Sequence, residues 1–152
     1  MKIDYFGLTF YCAFIFWLSS QQTLPAPMWF DQQDKLYHAA AYAIMGCLAW
    51  RCFRYTAKTP IILALFSVAF CSLYGASDEW HQSFVLGRNS SWEDWLADTI
   101  GAIIAVVMLS KVVAMVSSSS DHELAMANCA IDCANCSFSE LHTSTPSTIK
   151  KI

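Results

Sequence analysis

Between Tyr74 and Gly101 the chain reads YGASDEWHQSFVLGRNSSWEDWLADTIG, and six acids and bases gather in it: Asp78, Glu79, Arg88, Glu93, Asp94 and Asp98. His81, Gln82, Asn89 and three serines lie among them. Closely spaced carboxylates suit proton transfer, and an arginine among them suits an anionic group. Asp and Glu placed at the rim of a hydrocarbon layer cost free energy, so a cluster of them there is by default a functional-site hypothesis. The apolar runs flanking the stretch are about as long as a membrane helix needs.

Helical spacing sharpens the cluster. Successive residues of a helix rotate by about 100°, which puts Gly75, Asp78, Glu79 and Gln82 within a third of one circumference. Asp94, Ala97, Asp98, Gly101 and Ala105 share a face of the next helix. The ladder Ala97-x3-Gly101-x3-Ala105 lets another backbone approach closely, whether within the chain or between copies. A third polar group, Asp34, Lys35 and His38, opens an earlier helix, where Lys35, His38, Ala39, Tyr42 and Gly46 share a face opposite Leu36, Tyr37, Ala40, Ile44 and Leu48.

Each feature also has a plainer reading. Glu93 and Asp94 suit a helix N-terminus electrostatically, an account that weakens for Asp98 one turn deeper. Lys35 and Arg88 suit ion pairs with the acids, and His38 suits a hydrogen-bonded packing role. Trp80, Trp92 and Trp95 suit the membrane interface. His38, Glu79, His81 and an Asp have metal-binding chemistry, but no tight ligand spacing joins them. No metal and no cofactor is expected.

Four helical elements must position these groups. Residues 5–19 form an aromatic apolar run that is read as a retained helix; a cleaved signal peptide is the rival, without a clear small-x-small cleavage site. A loop with Pro25 and Pro27 follows, with Trp29 and Phe30 at the interface, and Asp31 opens a helix from about Gln32 to Phe53. Arg51, Arg54 and Lys58 surround a turn before Pro60. The third run spans about Ile61 to Ala76 and leads into Asp78. After a loop at Gly87, a fourth helix runs to about Val116, with Ser90/Glu93 and Ser91/Asp94 as overlapping cap signals.

A chain 56% hydrophobic and 14% charged, with mean hydropathy +0.39, is far from a soluble average. It reads as an all-α membrane protein, a compact bundle of four transmembrane helices with a mobile C-terminal tail. Residues 1–116 form the membrane domain and 117–152 a cytoplasmic, largely disordered tail. Ser117–Ser120 read as a linker and Glu123 to Ala134 as one short helix. Cys129, Cys133 and Cys136 suit a variable reduced tail, with zinc as the minor alternative. A net charge of −3 without a basic run excludes a nucleic-acid partner.

Lys and Arg of short loops stay in the cytoplasm. The turn holding Arg51, Arg54 and Lys58 is therefore internal, both termini are cytoplasmic, and Asp34, Lys35 and His38 meet the Asp78–Asp98 cluster on the extracytoplasmic face.

Two blocks resemble the VanZ-like membrane proteins: Asp34-Lys35-Leu36-Tyr37-His38 with Tyr42 and Gly46, and Asp78-Glu79-Trp80-His81-Gln82 through Phe84, Val85, Gly87 and Arg88 to Asp94, Asp98 and Gly101. The shared pattern is DK-x-x-H, then E-x-x-Q-x-F-x-x-G-R, then D-x-x-[AG]-[ND]-x-x-G. It covers roughly Asp34 to Ala105, with Leu86 where a Pro is common. The resemblance implies a multi-pass bacterial inner-membrane protein of the cell envelope. The family's namesake gives low-level resistance to the lipoglycopeptide teicoplanin.

Two function classes follow. In the first, an outer polar pocket binds or modifies an envelope amphiphile, such as a lipid-linked or glycolipid head group. Lys35, His38, Gln82 and Arg88 would hold that ligand, and Glu79, Asp98 and Asp94 are the candidate catalytic groups. In the second, a non-catalytic structural or interaction protein uses the cluster to lock helix ends. A proton-coupled transporter is less favoured, because four short spans make a poor pathway.

Overall fold

The computed structural model describes residues 2–22 and 33–142. Among these the chain is all-helical: α1 Lys2–Ser19, α2 Gln33–Phe53, α3 Pro60–Gln82 and α4 Trp92–His142, with no strand. The loop around Pro25 and the expected cap at Asp31 lie outside the described residues. The chain divides into two compact units, Met1–Lys111 and Val112–Ile152.

Local chemistry sets the helix starts. Pro60 occupies the first turn of α3, where its missing N–H costs nothing, and the Thr59 side chain accepts from the Ile62 N–H at 3.3 Å. At the start of α4 the Ser91 hydroxyl accepts from the Glu93 N–H at 3.1 Å. The cap is thus Ser91, not Ser90.

Helix α3 continues past the apolar run to Gln82, so Asp78, Glu79 and Gln82 project from a regular helix as their spacing implies. One sequence expectation needs correction: Ser117–Ser120 are not a linker, because α4 runs through them as helix to His142. Their hydroxyls explain why: Ser119 Oγ donates to the Met115 carbonyl and Ser120 Oγ to the Val116 carbonyl, each at 3.1 Å. Serines that bond back to the preceding turn need not leave the helix. The side chains of Cys129, Cys133 and Cys136 lie outside the described residues.

The first unit is inside-out by the standard of a soluble domain. Leu73, Met108 and Ile61 are 73%, 63% and 74% exposed, while Asp98 and Ser67 are fully buried. Large exposed apolar surfaces need an apolar partner. Two helices are long and apolar enough to span a membrane, Pro60–Gln82 and the Trp92–Ser120 part of α4. Only 22% and 17% of their most apolar windows are buried, which does not fit core helices of a soluble protein.

Small residues bring the helices together. A Cβ on Gly101 of α4 would sit 2.1 Å from the Ala39 carbonyl oxygen of α2, and one on Gly46 of α2 would sit 3.2 Å from that of Ala102. The central rung of the small-residue ladder is therefore filled from within the chain. Around these contacts Tyr42, Met45, Ala49, Cys52, Cys71 and Ala102 form the buried core, with Leu8 and Ile15 of α1 against it. The Tyr11 hydroxyl donates to the Ala41 carbonyl and that of Tyr74 to the Cys12 carbonyl, tying α1 to α2 and α3.

At the other end of the unit Asp4 receives Nε and Nη2 of Arg51 at 3.1 and 3.0 Å and the Tyr55 hydroxyl at 3.0 Å. The Arg54 guanidinium lies over the Tyr55 ring, 4.8 Å from its centroid. The basic turn is thus partly neutralised by the first helix.

Candidate functional site

The C-terminal ends of α1 and α3 and the N-terminal ends of α2 and α4 meet at one end of the first unit. Every candidate site residue lies there, and the contacts sort them into two kinds.

The first kind makes contacts that hold helix ends together. Glu79 Oε2 accepts from the Ser91 N–H at 2.9 Å. The reciprocal arm of a capping box, expected from Asp94, comes instead from a different helix. Lys35 Nζ bridges Glu93 at 2.9 Å and Asp94 at 3.3 Å, so this cation joins α2 to the first turn of α4. Asp78 accepts from the Ser19 hydroxyl on one oxygen and from Gln82 Nε2 at 3.1 Å on the other. Gln82 also reaches Ser19 Oγ at 3.3 Å. Trp95, rather than anchoring at the interface, donates its indole N–H to the Ser72 carbonyl at 3.0 Å, and Thr99 bonds the Ser72 hydroxyl at 3.1 Å. Trp80 and Trp92 are exposed, as interface anchors should be.

The second kind is buried with capacity to spare. Asp98 is wholly buried; its Oδ1 bonds His38 Nδ1 at 3.0 Å, while its Oδ2 has no hydrogen-bond partner. That oxygen lies against α3 at Gly75, where an added Cβ would meet it at 3.1 Å and the Tyr42 ring at 3.3 Å. The hydroxyl of Tyr42, 1% exposed, also lacks a partner. So does the buried Nε of Arg88, and no carboxylate among the described residues pairs with its guanidinium. Buried polar groups are nearly always satisfied, so three orphans in one locality call for a ligand, ion or water.

The turn after α3 sets the position of Arg88. Val85 N–H bonds the Gln82 carbonyl and Arg88 N–H the Val85 carbonyl, with Gly87 between them at φ +84°. Only glycine takes that conformation without strain. A Cβ there would also stand 3.1 Å from the Gln22 carbonyl oxygen beyond α1.

Two cavities flank the pair α1 and α3. One, of about 120 Å³, is lined by Ser19, Asp34, His38, Tyr42, Asp78, Gln82 and Arg88, with Ile15, Leu18, Tyr37 and Ala41 supplying its apolar wall. The other, of about 430 Å³, is lined by Phe16, Tyr74, Ser77, Asp78, Trp80, His81 and Phe84. Asp78 borders both. His81 stacks on Phe16 at 4.5 Å and bonds Ser20 Oγ at 3.1 Å, so it lines the second cavity and is separate from the His38 group.

Sequence reasoning missed the part of α1. Ser19 and Ser20 close an aromatic helix and carried no signal beyond being the first hydroxyl pair after it. Asp4, with no acid near it in sequence, gave none of its link to Arg51.

Exposed apolar side chains outside, two helices long and apolar enough to span a membrane, and a buried polar cluster at one end point to an α-helical membrane protein. The chain belongs to the VanZ/LLP1 family, whose model matches residues 6–114. The match covers all four helix ends of the site and stops short of the cysteine-bearing segment. No curated protein and no solved structure matches the chain.

Proposed function

We infer that this protein is a four-span inner-membrane protein that binds the anionic head group of an envelope amphiphile at an extracytoplasmic pocket. One observation carries the reading: an unpaired, partly buried Arg88 guanidinium lines a small polar cavity that shares Asp78 with a larger aromatic groove. The polar cavity has room for a head group such as a phosphate or a carboxylate, and not for a whole lipid. The groove of Phe16, Trp80 and Phe84 suits the apolar portion, because aromatic side chains sit well at the membrane boundary. Arginine is the residue for such a head group: it stays charged and presents a planar fork of donors to paired oxygens.

Lys35 is a supporting residue here and not a ligand-holding one, because Glu93 and Asp94 already occupy it. Gln82 and Asp78 orient the wall facing Arg88. Asp98 is buried behind His38, so any proton it exchanges with a bound group would pass through that imidazole, which lines the cavity. Both short loops that bear the site would face outward, with the termini and the Arg51–Lys58 turn in the cytoplasm. Through its ligand the site would influence susceptibility to teicoplanin-type glycopeptides, as the family's namesake does.

The structural reading retains one specific support, the engagement of Glu79 and Lys35 at helix ends. Those residues brace, as does the contact of Asp98 on α4 with His38 on α2; Arg88 does not. The test compares wild type with Arg88→Gln and Arg88→Lys in nanodiscs containing an anionic or a zwitterionic phospholipid. The glutamine variant should lose at least about tenfold in affinity for anionic lipid, on the order of one charge-assisted hydrogen bond, with its folding unchanged. Lysine should restore part of it. Unchanged lipid selectivity in the glutamine variant, together with unchanged glycopeptide susceptibility of the host, would leave the bracing reading standing.

A further inference from the structure

The orphan oxygen of Asp98 belongs to a second chemical pattern. His38, Glu79 and Asp98 come from three different helices, yet each offers a ligand atom and the three atoms lie within 4.8 Å of one another. One nitrogen and two carboxylate oxygens, converging from separate elements with no sequence spacing to announce them, form a donor set for a transition-metal ion.

We propose that His38, Glu79 and Asp98 bind one divalent transition-metal ion of the zinc and manganese type. Three independent features support the site. The first is the orphan itself: Asp98 is fully buried, its Oδ2 has no partner, and that oxygen lies against α3 at Gly75, one helical turn from Glu79. A buried carboxylate oxygen without a donor is unfavourable, and a cation satisfies it.

The second is charge. Asp78, Glu79, Asp94 and Asp98 are all buried at this end of the unit. Lys35 is committed to Asp94 and Glu93, and Arg88 is the remaining Lys or Arg near the group. Counting His38 with Lys35 and Arg88, four buried acids face three potential cations, and a divalent ion that takes the place of the imidazole proton offsets the remaining negative charge. Uncompensated buried charge is strongly destabilising, so some neutralisation is required.

The third is access. Of the three ligands His38 lines the cavity of about 120 Å³, with Tyr42 beside it, so an ion would enter from the bundle end past the imidazole. Three protein ligands with an open position characterise catalytic metal sites, at bond lengths of about 2.0–2.2 Å for zinc. Small torsions of the three side chains bring atoms within 4.8 Å onto one ion. The imidazole weighs against magnesium and calcium, which take oxygen ligands.

A neighbouring group, Asp34, His38 and Asp94, meets the same distance limit, but Asp34 is exposed and Asp94 already receives Lys35. The inner group is therefore the site. This assignment does not rest on the head-group reading, since it counts Arg88 only as a nearby charge and places no ligand on it.

The test uses full-length protein purified in detergent, stripped with chelator and titrated calorimetrically with zinc chloride, manganese chloride and magnesium chloride. One equivalent of zinc or manganese should bind per chain, and magnesium should not compete at equal concentration. Asp98→Asn and His38→Gln should each weaken binding by about tenfold or more, whereas Asp34→Asn and Glu93→Gln should not. Thermal unfolding gives a second readout that does not need the variants to be fully stable: the metal should raise the midpoint of wild type and leave that of Asp98→Asn unmoved. No binding to the wild type, binding of magnesium alone, or equal binding by Asp98→Asn would each overturn the site. Loss of binding in Asp34→Asn would overturn it too, by moving the ion to the outer group. Loss of metal binding with lipid selectivity intact would separate this site from the head-group reading.

Discussion

The carboxylate of Glu79, near the end of α3, accepts a 2.9 Å hydrogen bond from the backbone N–H of Ser91, the residue that caps α4. Twelve residues separate the two in the chain. Between them lies the turn that carries Gly87 and Arg88, so this contact closes the loop and sets the direction in which α4 leaves. A helix start has orphan N–H groups, and here a neighbouring helix satisfies one of them with a charge.

Removing that acceptor should therefore loosen α4. Glu79→Ala is expected to lower stability in detergent by about 1–3 kcal/mol, the range for a buried donor left unsatisfied. Glu79→Gln should cost less, because its amide oxygen still accepts from Ser91. Chemical denaturation of the two variants side by side checks this; equal losses would show that the charge, and not the acceptor, is what matters.

The closest helix contact makes its own prediction. A Cβ at Gly101 would stand 2.1 Å from the Ala39 carbonyl oxygen, and the backbone cannot swing aside as a side-chain tip does. Gly101→Ala should lose about 1–3 kcal/mol by forcing α2 and α4 apart. Gly7→Ala is the matched control: nothing lies within 4 Å of its added Cβ, so it should be neutral or slightly stabilising. A Gly101→Ala protein as stable as wild type would mean that these helices can part without cost.

At the basic end, Asp4 and Arg51 should be energetically coupled through their two hydrogen bonds. Asp4→Asn and Arg51→Gln should each lower the melting temperature, and the double variant should lose less than the sum of the two. Strict additivity would show that the contact contributes nothing beyond its separate parts. Tyr55→Phe, which removes the third donor to Asp4, should have a smaller effect in the same direction.

Topology follows from the same turn. Reporter fusions after Lys58 should register in the cytoplasm and fusions at Asn89 outside it. An Asn89 fusion active in the cytoplasm would place Arg88 and its cavity on the inner face and remove the envelope ligand.

Much of this was legible before any coordinates. Apolar runs broken by short polar turns imply membrane helices, because hydrocarbon leaves the backbone few alternatives. The faces of α2, α3 and α4 also followed from the turn angle alone: Gly75, Asp78, Glu79 and Gln82 are all buried along one side of α3, while Leu36, Tyr37 and Ile44 of α2 are exposed. Helix ends were harder. The serines after Val116 read as a linker because their propensity is weak, and their back-bonding to α4 reversed that.

The sequence by itself determined which residues would be polar, on which helix face, and at which end of each helix, because these depend on local periodicity and on the cost of charge in an apolar layer. Only the tertiary structure decided how they divide. Lys35 and Arg88 look equivalent along the chain, as do Glu79 and Asp98. Whether each finds a partner depends on neighbours from other helices: Glu93 and Asp94 reach Lys35, Ser91 reaches Glu79, and His38 satisfies only one oxygen of Asp98. Pairing is a matter of distances of a few ångströms between segments 12 to 60 residues apart, which no spacing rule within one helix contains.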